Sequence, residues 1–73
     1  MAKPELPELP EVGDTVVIAW AGLVDEAEVD EIYGPPENLH LMVWVPIRGS
    51  SGEVLERELW NVPFAAVKEI RAA

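Results

Sequence analysis

The sequence contains no cysteine, a single histidine, and only five basic residues against fourteen acidic ones. Without cysteine there is no disulfide and no thiolate metal site, so a chain of 73 residues must fold on a small hydrophobic core. The longest apolar run, from Leu41 to Ile47, is too short to span a bilayer. No basic segment leads into an apolar one near the N-terminus, so we expect no secretory signal, no membrane contact and a cytoplasmic location.

The shortage of basic residues is greatest in the first half of the chain. Residues 1–37 contain ten acidic residues and one base, Lys3, whereas residues 38–73 contain four of each. Affinity for nucleic acid comes largely from Lys and Arg that neutralise phosphates, so direct nucleic-acid binding is disfavoured. A basic protein partner is compatible with this charge. The alternative is that the acidic stretch from Asp25 to Glu31 is a solvated face that keeps the domain soluble.

Groups that could perform catalysis are equally scarce. A hydrolytic triad needs a base held against its nucleophile, and nothing in the sequence brings His40 towards Ser50 and Ser51. The acidic stretch lacks the regular ligand spacing and the turn glycine of a calcium loop. The sequence therefore predicts a protein that is not an enzyme and that uses no cofactor and no metal.

Alternating apolar residues predict β-strands in the first half of the chain. The segment TVVIAW places Val16, Ile18 and Trp20 on one face, so we expect Trp20 to pack inward. A turn at Ala21-Gly22 separates it from LVDEAEVDEIY, in which the alternation slips by one position before Ile32. Such a slip predicts a β-bulge in the second strand.

The second half of the chain predicts a hairpin and one further element at the C-terminus. The strand LHLMVWVPI is apolar on both faces, which is typical of a central or covered strand. A Gly/Ser-rich turn joins it to EVLERELW and predicts a hairpin. For NVPFAAVKEIRAA two interpretations are open, a 3₁₀ turn followed by a short strand around residues 67–70 or a helix, and we favour the turn and strand.

Two segments resemble parts of a known fold. VGDTVVIAWAGLVDEAEVDEIY resembles the opening hairpin of SH3-like barrels of the KOW and Tudor kind, and NVPFAAVKEI resembles the 3₁₀ turn and final strand of such barrels. The positions that match the opening hairpin are Gly13 and Asp14 before the first strand, Val16 and Ile18 facing inward, Gly22 in the loop, and Val29 and Ile32 in the bent second strand. The resemblance covers about residues 12–70 and implies an all-β domain, a small SH3-like barrel of four to five antiparallel strands.

The same resemblance suggests two functions. KOW domains often contact RNA, ribosomes or polymerases through basic or loop residues, but this chain has no Lys or Arg between positions 4 and 47. Tudor domains hold methylated lysine or arginine in cages of aromatic side chains by cation–π attraction. Trp20 and Tyr33 are the candidates for such a cage here, and the alternative is that these aromatic rings fill the core or an interface.

Two further residues predict an interaction surface. Met42 and Trp44 lie opposite the main apolar face of their strand, where they would be exposed unless something covered them. We therefore interpret them as a docking patch on the domain.

The N-terminus repeats one tripeptide as PEL-PEL-PEV. A period of three is that of polyproline II, which would align Leu6, Leu9 and Val12 on one edge and the glutamates on another. Three alternatives are open: the leucine edge covers the protein's own domain, it binds a neighbouring copy or another partner, or the segment is a disordered tail. We divide the chain into an extended proline-rich arm, residues 1–11, and a barrel domain, residues 12–73.

These observations lead to one main hypothesis. The sequence predicts a non-enzymatic protein–protein interaction module, an accessory or structural subunit that docks into a larger cellular or viral assembly, including one formed by self-assembly. Its contacts would be Leu6, Leu9 and Val12 of the arm together with Met42 and Trp44 of the domain. The alternatives are an aromatic-cage reader of a cationic, methylated ligand and a KOW-like nucleic-acid-associated factor.

Overall fold

The computed structural model describes residues 9–71, which form a five-stranded antiparallel sheet with two short 3₁₀ turns. The strands are β1 (Thr15–Trp20), β2 (Leu23–Tyr33), β3 (His40–Arg48), β4 (Val54–Pro63) and β5 (Val67–Arg71). The sheet is open, with the order β4-β3-β2-β1-β5, so β4 and β5 are its edges. The predicted all-β class is confirmed. Residues 9–71 contain no helix with the length and apolar character needed to cross a membrane.

The turn between β1 and β2 is as tight as a hairpin allows. The two strands pair from Thr15 opposite Glu28 to Trp20 opposite Leu23, which leaves two residues for the turn. Both have positive φ, 53° at Ala21 and 84° at Gly22. This is the pattern of a type I′ turn, which follows the natural twist of the strands. Ala21 occupies a conformation that glycine or asparagine adopts more readily.

The predicted bulge in β2 is confirmed. Val29 lies opposite Val43 and Glu31 lies opposite Met42, so Asp30 is an extra residue in the ladder between β2 and β3. A bulge bends and twists its strand. The first half of β2 pairs with β1, and the half beyond Glu28 pairs with β3.

The strand β3 is central for only part of its length. Its ladder with β2 ends at Trp44, whereas its ladder with β4 continues to Arg48. Pro46 carries no amide hydrogen and cannot donate to a β-ladder, which explains why pairing with β2 does not resume beyond Trp44. The end of the β3–β4 hairpin therefore extends past its last contact with the β2 ladder.

The core lies on one face of the curved sheet. It consists of nine buried apolar side chains: Val16, Ile18, Ala27, Val29, Leu41, Val43, Val45, Val62 and Ala66. At the C-terminus, the 3₁₀ turn Phe64–Ala66 leads directly into β5, which confirms the favoured turn and strand over the helix. The Phe64 amide donates to the Leu39 carbonyl at 2.9 Å and fixes this turn to the start of β3.

The prediction that Trp20 packs inward is wrong. The side chain is 42% exposed, although it alternates in phase with the buried residues Val16 and Ile18. The pairing of β5 with β1 ends at Ile18, so within the described residues no strand covers the last two positions of β1 on that side. Trp20 therefore follows the alternation of the strand but lies beyond the edge of the core.

Candidate interaction surface

The face of the sheet opposite the core carries the patch predicted on β3. Leu41, Val43 and Val45 are buried in the core, so the alternate residues Met42 and Trp44 point to the other side, the outer face. Trp44 is 37% exposed and Met42 is half-buried. Both side chains therefore lie on the outer face, and Trp44 is the more accessible of the two.

The neighbours of Trp44 complete this surface. Its Cα partners are Glu28 on β2 and Leu59 on β4. Residues directly opposite each other in antiparallel strands have Cβ atoms about 5 Å apart and share a face, so both side chains flank the indole. Leu59 is 40% exposed. We call the surface formed by Glu28, Met42, Trp44 and Leu59 the Trp44 face; Pro46, the next residue of this row on β3, is buried.

The indole ring of Trp44 is oriented by the bulge in β2. Its Nε1–H donates a hydrogen bond to Oδ1 of Asp30 at 3.1 Å. Asp30 is the extra residue of the bulge, and bulges commonly redirect a side chain in this way. The hydrogen bond restricts the rotation of an exposed aromatic ring, so the ring is partly pre-organised for a contact.

A shallow depression of about 170 Å³ adjoins Trp44. Its lining contains two glutamates and two arginines: the residues are Thr15 from β1, Glu26, Ala27 and Glu28 from β2, Trp44, Pro46 and Arg48 from β3, and Val54 and Arg57 from β4. It lies where the ladder between β2 and β3 has ended. Pockets for small molecules are typically about 300–1,000 Å³ and enclose most of the ligand, so this depression is better suited to a side chain of a partner protein.

Acidic side chains border the Trp44 face on the β2 side. Glu28 lies beside Trp44, and Glu31 lies beside Met42. Neither glutamate forms an ion pair within residues 9–71. Glu26, one alternate position before Glu28, is bound by the Arg71 guanidinium. The surface thus combines an apolar centre with two carboxylates, those of Glu28 and Glu31, that form no ion pair with any other described residue.

An ion pair connects the projecting hairpin to β2. Arg48 donates from Nε to Asp25 Oδ2 at 2.7 Å and from Nη2 to Oδ1 at 3.1 Å. Its Nη1 also donates to the Gly52 carbonyl at 2.9 Å. The hydrogen bond from Arg48 lowers the pKa of the Asp25 carboxyl below its usual 3.8. We call this pair the Asp25–Arg48 clasp, because it spans the place where the β2–β3 ladder is missing.

The arm joins the sheet beside the bulge. The Gly13 amide donates to the Val29 carbonyl at 2.9 Å, one residue before Asp30, which binds Trp44. Leu9 and Val12 are 58% and 66% exposed, whereas Pro10 between them is buried. Leu6 lies outside the described residues. The described part of the arm therefore presents its apolar edge to solvent, close to the element that holds the Trp44 face.

The two candidates for an aromatic cage are not brought together. Trp20 lies opposite Leu23, the first residue of β2, and Tyr33 is the last residue of the same strand. The 11 residues of β2 span on the order of 30 Å. Tyr33 instead stacks on His40, with ring centroids 5.8 Å apart. The pair Trp20 and Tyr33 does not enclose a common ligand.

The sequence interpretation missed two members of the surface, Leu59 and Glu28. The information needed to find them was the register between strands. Once the pairing of β3 with β2 and β4 is known, the residues directly opposite Trp44 are determined. Within residues 9–71, no three His, Asp or Glu side chains are grouped so that they could hold a metal ion.

The comparisons with family models, curated proteins and solved structures returned no match for this chain. Its function must therefore be argued from its own residues.

Proposed function

We propose that this protein is a non-enzymatic interaction module, an accessory or structural subunit that docks into a larger assembly through the Trp44 face and the N-terminal arm. One observation carries the proposal. An exposed tryptophan is held by a hydrogen bond from its indole to Asp30, next to the exposed Leu59. Gly13, directly after the arm's exposed residue Val12, is hydrogen-bonded to Val29, the residue before the bulge.

The chemistry of Trp44 supports this role. Tryptophan is among the residues most often found at the energetic centre of protein interfaces, where neighbouring side chains exclude water. Leu59 and Met42 flank the ring and supply apolar area that a partner could bury. Because the ring is already oriented by Asp30, it loses less rotational freedom when a partner binds.

The arm supports the same role. Leu9 and Val12 are exposed, so these two side chains do not serve as a lid on the domain's own core. A proline-rich segment is restricted to extended conformations and therefore loses little entropy on docking. We propose that Leu6, which belongs to the same sequence stripe, binds the partner together with Leu9 and Val12.

We further propose that the sheet curls into an SH3-like barrel, as the sequence resemblance implies. Three features support this: the order of the strands, the bulge in β2 and the 3₁₀ turn before β5. Val62 from the edge strand β4 and Ile70 from the edge strand β5 also pack against one core. Methyl–methyl nuclear Overhauser effects between β4 and β5 would establish closure, and their absence would leave the sheet open.

The two alternatives have less support. An aromatic-cage reader built on Trp20 and Tyr33 would require two rings that lie at opposite ends of β2. A KOW-like nucleic-acid factor would require basic groups that a chain with a net charge of −9 does not offer.

The docking proposal is tested by affinity capture from cells that express the protein. We expect the intact chain to retain a defined partner, and Trp44→Ala combined with Leu59→Ser to lose it. The matched control is Val24→Ser, because Val24 is 72% exposed on β2 but outside the Trp44 face. An arm variant, Leu6→Ser with Leu9→Ser, should lose the same partner.

Thermal melts of all variants separate lost docking from lost folding. Trp44 and Leu59 are more than half covered by their neighbours, so we expect the double variant to melt several degrees lower than the intact chain but still to fold cooperatively. The arm variant and Val24→Ser should melt close to the intact chain. If the Trp44 and Leu59 variant retains the partner as well as Val24→Ser does, the Trp44 face is not a docking surface.

A further inference from the structure

We propose that the occupant of the Trp44 face is a basic, extended segment of a partner protein with Lys or Arg at alternate positions. This inference rests on the proposed docking function and specifies the chemistry of the partner. The arrangement of charge and apolar area on the outer face of the sheet favours such a segment.

The outer face has an acidic row on one strand and an apolar row on the next. The acidic row on β2 is Glu28 and Glu31, preceded by Glu26, which Arg71 already binds, and the apolar row on β3 is Trp44 and Met42. The register places Glu28 beside Trp44 and Glu31 beside Met42. Adjacent strands are about 4.8 Å apart, so a side chain reaching one row also reaches the other.

The spacing along the rows fits an extended chain. Alternate residues of a strand are about 6.6 Å apart and point to the same side. Glu28 and Glu31 lie opposite Trp44 and Met42, which are alternate residues of β3, so they are separated by about this distance. A partner segment in an extended conformation presents its own alternate side chains at the same interval. A base at every second position would thus meet one carboxylate after another, whereas a helix would place its bases out of step.

Glu28 and Trp44 together form the central contact for a base. A Lys or Arg side chain placed between them would form an ion pair with the carboxylate and a cation–π contact with the indole face. Glu28 has no ion-pair partner within residues 9–71, so the incoming base would displace no existing pair there. Leu59, on the other side of Trp44, and Met42, two positions along β3, would receive the apolar stem of a long basic side chain.

Charge discriminates between the occupants that an apolar sheet face could accept. A second copy of the chain also carries a net charge of −9, so its carboxylates would repel those of the Trp44 face. The protein's own residues 1–8 contain two glutamates against one lysine and would meet the same repulsion. Nucleic acid would be repelled for the same reason. A basic protein segment is attracted by the whole field of the molecule as well as by the acidic row.

The inference is tested with two capped peptides, Lys-Val-Lys-Val-Lys and Glu-Val-Glu-Val-Glu, titrated into the full chain and followed by NMR. We expect the lysine peptide to bind and to shift the Trp44 indole N–H signal, which Trp44→Phe identifies. The glutamate peptide should not bind. Binding should weaken when the ionic strength is raised towards about 1 M, because the attraction is then screened within about 3 Å.

Two matched substitutions test the site. Glu28→Gln removes the carboxylate beside Trp44, and Glu37→Gln removes an exposed one in the 3₁₀ turn Pro36–Asn38, away from the face. We expect Glu28→Gln to weaken binding of the lysine peptide about fivefold and Glu37→Gln to leave it nearly unchanged. Equal effects of the two substitutions, or an unmoved Trp44 signal, would show only general attraction to an acidic protein and would overturn the inference.

Failure of this inference differs from failure of the docking function. If Trp44→Ala loses the captured partner but the lysine peptide does not bind and Glu28→Gln keeps the partner, docking stands and the basic segment is rejected. If Trp44→Ala keeps both the partner and the peptide, the Trp44 face takes part in neither, and both proposals fail.

Discussion

The two parts of β3 have the same kind of sequence but different surroundings. From His40 to Trp44 the strand pairs with β2 on one side and β4 on the other. From Pro46 to Arg48 it pairs with β4 alone. Leu41 and Val43 in the first part are fully buried, and burial continues through Val45 and Pro46. The β4 residues 54–57, which lie opposite the stretch from Pro46 to Arg48, are all exposed.

This difference shows that burial is decided by the neighbours of a strand as much as by its own alternation. Pro46 removes one amide, and the sheet separates at that place into a packed part and a projecting hairpin. Trp44 is the last residue of β3 that pairs with β2. The packed part of the sheet therefore holds its backbone in place, while its side chain stays accessible from the side of the projecting hairpin. A fixed backbone and an accessible side chain are both favourable for a residue that binds a partner.

The largest expected difference in the free energy of unfolding is between a substitution in the packed part of the sheet and one in the projecting hairpin. Leu41→Ala removes a fully buried side chain, and we expect it to lower the free energy of unfolding by about 2–4 kcal/mol. Leu55→Ala, on the exposed stretch of β4, should change it by no more than about 0.5 kcal/mol. Urea unfolding of both variants measures the difference, and a comparable loss from Leu55→Ala would show that the hairpin is not separate from the packed part.

The sequence was sufficient for the local elements of this fold. The bulge followed from the slip before Ile32, and the C-terminal turn and strand followed from the sequence NVPFAAVKEI. The error at Trp20 arose because alternation gives the direction of a side chain but not the extent of the neighbouring strand, β5. Leu59 was missed for the same reason, since its position beside Trp44 depends on register between strands.

A smaller, stabilising effect is expected in the β1–β2 turn. Ala21 has a φ of 53° and is followed by Gly22, and asparagine is the preferred residue before glycine in such a turn. We expect Ala21→Asn to raise the free energy of unfolding by about 0.5–1 kcal/mol. Because both paired strands belong to the packed part, the gain should appear in the global thermal melt.

The control for this change is Ala65→Asn, at an exposed position in the 3₁₀ turn Phe64–Ala66, where φ is not positive. The same substitution there relieves no strain and should give no gain. A similar rise in both variants would mean that the asparagine side chain, and not the turn conformation, is responsible.

The smallest effect concerns the Asp25–Arg48 clasp, which holds the two parts of the molecule together. The pKa of Asp25 is lowered mainly by its hydrogen bond with Arg48, so the folded protein binds this proton less readily than the unfolded chain. The clasp therefore stabilises the fold above the unfolded pKa, near 3.8, and this contribution disappears as the pH falls through the lower folded value. At neutral pH we expect Asp25→Asn to lower the melting temperature by only about 1–3 °C, because Arg48 is well exposed to solvent.

Acid titration of the melting temperature distinguishes the clasp from other carboxylates. The difference between the intact chain and Asp25→Asn should be present at neutral pH and should shrink to nothing below the folded pKa of Asp25, where both proteins lack the charge. Glu56→Gln, on the exposed part of β4, should behave like the intact chain throughout, since Glu56 has no ion pair within residues 9–71. If the difference persisted unchanged in acid, the carboxylate charge would not be what joins the hairpin to β2, and the backbone contacts between β3 and β4 would have to hold the hairpin in place alone.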